Sequence, residues 1–316
     1  MTEKVYVLTP VYNGEKYLRE TMECVQAQTW SNLEHIVIDN ASTDGTPAIL
    51  AEYANAKVPV RVIRNEKLLP VVPNWNRAVD ALPDDAEWFR ILCADDTMTP
   101  DYIEKCVTLG RSDPAIGIVT CKVDMQSEVH YSNWPTDQSV FDGSEALRRF
   151  LTHDGNVLAP HVFYRRDVII PDQPFFDETV IAFDTDAVLR TYCSWKLGFV
   201  HEVLAMNRVH ENSVTAKTVE PKRLHLFDWY NYIHRYGKAG LGEEGHKSMR
   251  RRFRRHYLWR LFRACMEDGN LDVLREHSKR LKTLNAAPTL LDALDVLSNR
   301  VLEQIGMRRR WVSYPW

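Results

Sequence analysis

Arg90-Ile-Leu-Cys-Ala-Asp95-Asp96-Thr-Met-Thr-Pro100 carries an apolar run, residues 88–92, into two adjacent carboxylates. Thr99-Pro100-Asp101 then signals a helix start, because Thr is a good N-cap and Pro is at home in a first turn. Asp95 and Asp96 are therefore expected on a loop at the carboxyl end of a buried strand. That edge is where open α/β sheets bind ligands. Neighbouring carboxylates repel each other unless a cation or hydrogen-bond donors compensate. Mg²⁺ and Mn²⁺ take carboxylate and diphosphate oxygens together. Two readings stand side by side: a metal–nucleotide site, or a solvated turn that caps a helix.

Outward from this stretch, strands and helices alternate. Residues 5–8 form a first strand, which stops at Thr9-Pro10-Val-Tyr12-Asn13-Gly14. Asn13 is placed to cap the helix that follows, with Tyr17, Leu18, Thr21, Met22 and Val25 on one apolar face. Residues 33–38 form a second strand that ends at Asp39, and Thr46-Pro47 opens a helix to about residue 56. A third strand at 60–63, a helix at 75–82, the strand at 88–92 and the Pro100 helix complete the alternation. This pattern predicts an α/β fold with a mostly parallel sheet and helices on both faces. Three polar clusters, 9–14, 39–46 and 95–96, each follow a strand, so a parallel sheet gathers them along one edge.

Residues 116–123 read as a further buried strand, 144–151 and 184–192 as helices, and 199–206 as a last strand leading to Arg208-Val-His210. The stretches 124–137, with Trp134, and 155–166 are irregular and follow the sheet. Beyond Pro221 strand signals fade into Lys- and Arg-rich helical patterns. The predicted domains are residues 1–219, with a donor half to about 123 and an acceptor half from 124, and a helical region over 220–316.

Composition narrows the function. The chain has 316 residues, 45% of them hydrophobic, and a net charge of −3. It offers ample core and no basic field for nucleic acid. Six scattered cysteines without a Cys-x-x-Cys argue against a zinc ribbon or a disulfide framework and suit a reducing cytosol. No signal-peptide pattern opens the chain, and no apolar run approaches the roughly 18–20 residues that span a bilayer. A cytoplasmic location is expected. There is no P-loop, no dinucleotide fingerprint after the first strand and no Gly-x-Ser-x-Gly elbow. A sheet edge offering carboxylates in place of a glycine-rich cradle would bind diphosphate through a bridging metal.

These motifs together resemble the family 2 glycosyltransferases, which have a GT-A-type fold. The segment 9–18 resembles their opening motif, and Ile36-Val-Ile-Asp39-Asn-Ala-Ser-Thr-Asp44-Gly-Thr46 their uridine-binding motif. Asn74-Trp-Asn76-Arg-Ala78 is similar to the helix packed under the donor, and Ala94-Asp95-Asp96 to the Asp-x-Asp metal motif. Phe176-Asp-Glu178, 184–190, Gly198, Glu202 and Arg208-Val-His210 are similar to the second half. Two departures stand out. Cys93 replaces a frequent Asp, and Phe183 a frequent Glu.

The resemblance implies that Thr9, Pro10 and Tyr12 line the base pocket and that Asp39 accepts from the uracil N–H. It implies Asn76 beneath the donor, Asp95 at the ribose or metal, and Asp96 on the metal. Arg208 suits the diphosphate and His210 a third metal position. Charge developing on the leaving diphosphate calls for a divalent cation, Mn²⁺ or Mg²⁺. The acceptor hydroxyl calls for a base. Asp184, at a helix start whose dipole would keep it ionised, is the candidate, with Asp186 the rival. Direct attack predicts inversion. The expected activity is transfer from a nucleotide-diphospho-sugar, UDP-linked, to a glycan or lipid-linked glycan, with 124–137 and 155–166 the candidate acceptor loops and Trp134 suited either to a sugar face or to the core. The alternative is a non-catalytic sugar-nucleotide or glycan-binding relative. A sugar-1-phosphate nucleotidyltransferase normally opens with a glycine-rich basic loop, which 9–14 is not.

The basic, aromatic helix over 247–262 suits either an anionic membrane surface or a packed helix with a solvated face. Residues 290–305 carry helical apolar spacing, which fits a folded and oligomeric tail.

Overall fold

The computed structural model describes residues 3–298 apart from 127, 131–132, 158, 160, 212–216, 218, 270, 293 and 295–296. The chain divides into two compact units, Met1–His210 and Glu211–Trp316. The first begins with β1 (Val5–Val11), α1 (Leu18–Gln26), β2 (Leu33–Asp39), α2 (Thr46–Ala51), β3 (Val60–Arg64), α3 (Val71–Asp80) and β4 (Trp88–Ile91). It continues through β5 (Thr97–Met98), α4 (Tyr102–Arg111), β6 (Ile116–Met125), β7 (Glu128–His130), β8 (Val140–Phe141), α5 (Gly143–Thr152), β9 (Val162–Arg165), α6 (Phe183–Tyr192) and β10 (Lys196–Met206).

One sheet runs β3-β2-β1-β4-β9-β6-β10-β5. Its first four strands are parallel, as the alternation predicts. β9 runs antiparallel to both β4 and β6, whereas β6 and β10 are parallel again. The stretch 155–166 is therefore not one acceptor loop. Val162, Phe163 and Tyr164 are buried, as a central strand requires, and this apolar run places them inside the sheet. Trp134 also belongs to the core. It is 4% exposed, lies against Phe141 and Phe199, and donates from Nε1 to the Asn156 carbonyl at 3.0 Å.

Helix starts differ from the sequence signals in detail. The N-cap of α1 is Tyr17 and that of α4 is Asp101, because the Asn13 and Thr99 side chains are occupied elsewhere. The Thr99 hydroxyl donates to Asp101 Oδ1 at 2.6 Å. α2 ends at Ala51 and continues only as turns.

The second unit holds α7 (His225–Asp268) and α8 (Leu271–Thr283). α7 is broken at Gly242, whose φ of 69° no β-branched or bulky residue would adopt readily. In the basic segment Phe253, Tyr257, Leu258 and Leu261 are buried, while Lys247, Arg251, Arg252 and Arg255 are exposed. The apolar face is thus already packed, leaving the charged face outward. Residues 290–305 lie largely outside the described residues. Among the described residues no helix is long and apolar enough to cross a membrane.

Two interior contacts carry predictions. His35 of β2 is 0% exposed and meets the Thr9 hydroxyl at 2.8 Å through Nε2. Burial lowers its pKa to about 3. The unfolded chain binds a proton here that the folded chain refuses, so stability is full above pH 6.5 and lost downward towards pH 3. The slope is about 1.4 kcal/mol per pH unit within that window. Urea unfolding at several pH values should show this slope, and His35→Gln should flatten it.

Asn76 of α3 donates from Nδ2 to the Phe176 carbonyl at 2.9 Å and accepts from the Phe176 N–H at 2.7 Å. Both residues are buried. Asn76→Ala strands two backbone groups and should cost on the order of 2 kcal/mol in equilibrium unfolding.

Candidate active site

The loops after β1 and β2 leave the sheet side by side, because Val11 and Asp39 are register partners. They clasp each other. Asn13 N–H donates to Ser42 Oγ at 3.0 Å, Gly14 N–H to Thr46 Oγ1 at 2.8 Å, and Glu15 N–H to Asp44 Oδ2 at 3.0 Å. Asn13 sits at φ 50°, a conformation Asn tolerates, and its Oδ1 accepts from Thr43 N–H at 2.9 Å. That bond is why it does not cap α1.

Asp39 is 1% exposed at the end of β2. Its Oδ1 accepts from Ser42 N–H at 2.9 Å, and its Oδ2 is ion-paired with Arg64 of β3. Tyr12 is 49% exposed, so core packing does not hold it. Thr9 and Pro10 do not line an open pocket as expected. Both are buried, and the Thr9 hydroxyl is turned to His35.

The acid pair follows β4. Immediately after it β5 pairs antiparallel with β10, setting Thr97 against Met206 and Met98 against Ala205. This short ladder returns residues 207–210 alongside the carboxylates. Arg208 N–H donates to Asp96 Oδ1 at 2.8 Å, and its Nε donates to the Asp95 carbonyl at 3.0 Å. His210 Nε2 lies 2.9 Å from Asp95 Oδ2. The Arg208 guanidinium also reaches Glu20 Oε2 at 2.6 Å and covers the Tyr17 ring at 4.4 Å. A diphosphate would have to displace Glu20 to reach it.

Asp96 is 3% exposed, which excludes a solvated turn. Burial, and then repulsion from Asp95, push its carboxyl up to about 7. Ligand atoms of Cys93, Asp95 and Asp96 lie within 4.8 Å of one another. Burial holds the Cys93 thiol well above its usual range, so it stays protonated and is a poor ligand for a hard cation. His210 sits on Asp95 and stands outside that group of three. Two carboxylates and a nearby imidazole suit a divalent cation, and a cation between the acids would remove their repulsion.

Asp184 lies in the first turn of α6 behind the N-cap Ala182, so it is not the cap. Its Oδ1 accepts from Thr185 N–H at 2.7 Å. Burial raises its pKa, outweighing the helix dipole expected to keep it ionised. Its charge is felt at the Cys93 thiol and at Tyr164. Asp186, 1% exposed, acts on Cys193 instead, so the two acids of α6 address different surroundings. Beside Asp184, the rings of Trp75, Phe176 and Phe183 meet edge-on at 5.1 to 5.5 Å. Asn76 is not turned to this edge as a donor contact. Its amide is committed to the Phe176 backbone and fixes that segment.

Two contacts to Asp96, and the residue behind one of them, escaped the sequence reading. The Thr21 hydroxyl of α1 donates to the Asp96 carbonyl at 2.9 Å. His161 Nε2 stands 3.4 Å from Asp96 Oδ2, and behind it is Arg90, fully buried in β4. A cationic residue inside an apolar run was the available signal for Arg90. Nothing local marks His161 or Thr21.

The family match takes in the acid pair and the loops after β1 and β2 but ends before Asp184, Arg208 and His210. The glycosyl transferase family 2 model matches residues 6–170. An uncharacterized glycosyltransferase of Rickettsia typhi is 26% identical over 247 residues, spanning 74% of this chain and 73% of that protein. The uncharacterized glycosyltransferase YibD of Escherichia coli is 29% identical over 180 residues, spanning 54% of this chain and 50% of YibD. Among solved structures, S. aureus TarS 1–349 in complex with UDP-GlcNAc superposes with a TM-score of 0.69 at 18% identity, covering 97% of this chain and 93% of that one. The mannosyltransferase PcManGT from Pyrobaculum calidifontis, in complex with GDP-Man and Mn²⁺, gives 0.62 at 18% identity, covering 96% and 81%. The fold is therefore GT-A-like, and with a family model spanning more than half its length the chain belongs to glycosyl transferase family 2.

Proposed function

We propose that the protein is an inverting, metal-dependent glycosyltransferase that moves a sugar from a nucleotide-diphospho-sugar, UDP-linked, to a hydroxyl of a glycan or lipid-linked glycan. The observation that carries this is the acid pair at the sheet edge, Asp96 buried and Asp95 half-buried, with Asp184 close enough to be felt at Cys93 yet outside the cluster. Asp95 and Asp96 would hold Mn²⁺ or Mg²⁺, with His210 beside them. A divalent cation there supplies charge stabilisation for the departing diphosphate. Tyr12 is the exposed side chain suited to cover the base, and Asp39 suits the uracil N–H if Arg64 yields one oxygen. That nucleotide-sugars occupy TarS and PcManGT supports this donor class. The catalytic domain on this reading is the first unit, and the exposed basic face of α7 would provide any contact with an anionic membrane surface.

Asp184 acts as the base. A buried carboxylate is a stronger base than a solvated one, so burial suits it to remove the acceptor's proton as the new bond forms. The acceptor attacks the face opposite the leaving group, which inverts the anomeric centre.

Asp184→Asn should abolish transfer by at least about a hundredfold while UDP still raises the melting temperature. A non-catalytic relative would show no turnover in the wild type, so UDP-sugar hydrolysis that chelator removes separates the two readings. Because the active form of Asp184 is ionised and its pKa is raised, kcat/KM should fall as pH drops through a group titrating above the ordinary aspartate range. A pH–rate profile flat down to pH 4 would exclude Asp184 as the base.

A further inference from the structure

Arg90 stands in the middle of β4 between Phe89 and Ile91 and is 0% exposed. Its guanidinium lies 4.0 Å over the Tyr102 ring, and its Nη2 meets His161 Nδ1 at 3.1 Å. Its Nε and Nη1 have no hydrogen-bonding partner among the described residues. Burying a guanidinium with open donors is costly, and an apolar residue would fill β4 at less expense. Packing alone does not account for this residue.

The register explains how it reaches His161. Arg90 pairs with Phe163 across the antiparallel β4–β9 ladder. Residues two apart share a face, so His161 is the diagonal neighbour of Arg90. The Thr120 hydroxyl of β6 donates to the His161 carbonyl at 2.9 Å and pins its backbone. On the far side of the ring, Nε2 stands 3.2 Å from Asn207 Oδ1 and 3.4 Å from Asp96 Oδ2.

Arginine has five donors and no acceptor. A His161 nitrogen facing Arg90 must therefore offer its lone pair, which leaves the ring proton on Nε2. The Nε2–H then points at Asn207 and Asp96. Asp96 Oδ1 thus accepts from the Arg208 N–H, Oδ2 faces the His161 ring edge at 3.4 Å, and Thr21 holds the carbonyl. The remaining lone pairs keep a fixed direction.

We infer that Arg90 and His161 are positioning residues: Arg90 locks the His161 tautomer, and His161 aims the Asp96 carboxylate at the metal position. The inference rests on the metal-site reading above. Partners one shell behind a metal ligand characteristically set its orientation, and their loss weakens metal affinity about 10- to 100-fold.

The test uses the full chain and two readouts that need no turnover. Long-range ¹H–¹⁵N spectra of histidine-labelled protein, assigned against His161→Gln, should show His161 protonated on Nε2. Arg90→Met should mix the two tautomers. Mn²⁺ alone, titrated by electron paramagnetic resonance, should bind His161→Leu at least about tenfold more weakly than wild type. His161→Gln, whose amide oxygen can accept from Arg90 while its NH₂ donates to Asp96, should recover most of that loss. A merely structural role would lower Tm in His161→Leu and leave the Mn²⁺ affinity unchanged, which overturns the proposal. A wild-type ring protonated on Nδ1 overturns it without any variant. Wild type that binds no Mn²⁺ overturns the metal-site reading and this proposal together, whereas variants that bind as well as wild type overturn this proposal alone.

Discussion

The first unit is arranged around a carboxylate that water does not reach. Asp96 is buried next to a second acid, and each charge makes the other harder to bear. Such an arrangement persists only when the surroundings determine it more strongly than the repulsion opposes it. Here α1 supplies Thr21, β10 leads to the Arg208 amide, and the segment before β9 supplies His161. Three distant parts of the chain converge on one residue. The sheet order that brings them together is thereby tied to the chemistry at its edge.

The antiparallel insertion of β9 is what distinguishes this sheet from a simple parallel one. It closes the gap between β4 and β6 and turns the His161 end of the strand towards the acids. The two-residue ladder of β5 with β10 performs the matching task from the other side. β9 also carries Val162, Phe163 and Tyr164 into the core, and β5 carries Met98. Their value lies in fixing direction, which a carboxylate loop would not have by itself.

Much of this was legible in the chain before any coordinates. β1, β2 and β4 announce themselves by apolar runs that stop at polar clusters, and the parallel alternation places those clusters together. Asp95, Asp96, Arg208 and His210 were each marked by local pattern, and the structure brings them within hydrogen-bonding reach. The rest depended on long-range pairing. β9 reads as an apolar run after a loop, with nothing local to say that it enters between two earlier strands. The Asn76 amide looks like a ligand contact in the sequence and proves to be occupied by Phe176, a hundred residues away. Asn13 and Thr99 are good caps by type, but Thr43 in the neighbouring loop captured the first and Asp101, two residues on, the second. Thr9 was drawn inward by His35, a partner that only the β1–β2 register reveals.

The span of these pairings bears on how the protein is made. Arg208 reaches Asp96 across 112 positions, and His210 reaches Asp95 across 115. A chain leaving the ribosome exposes both acids long before it exposes the groups that confine them. Until β10 has been synthesised and docked, the pair stays hydrated and splayed, with no fixed cradle for a cation. Contacts so far apart in sequence also form late in folding. The acids therefore acquire these partners only once the first unit is complete.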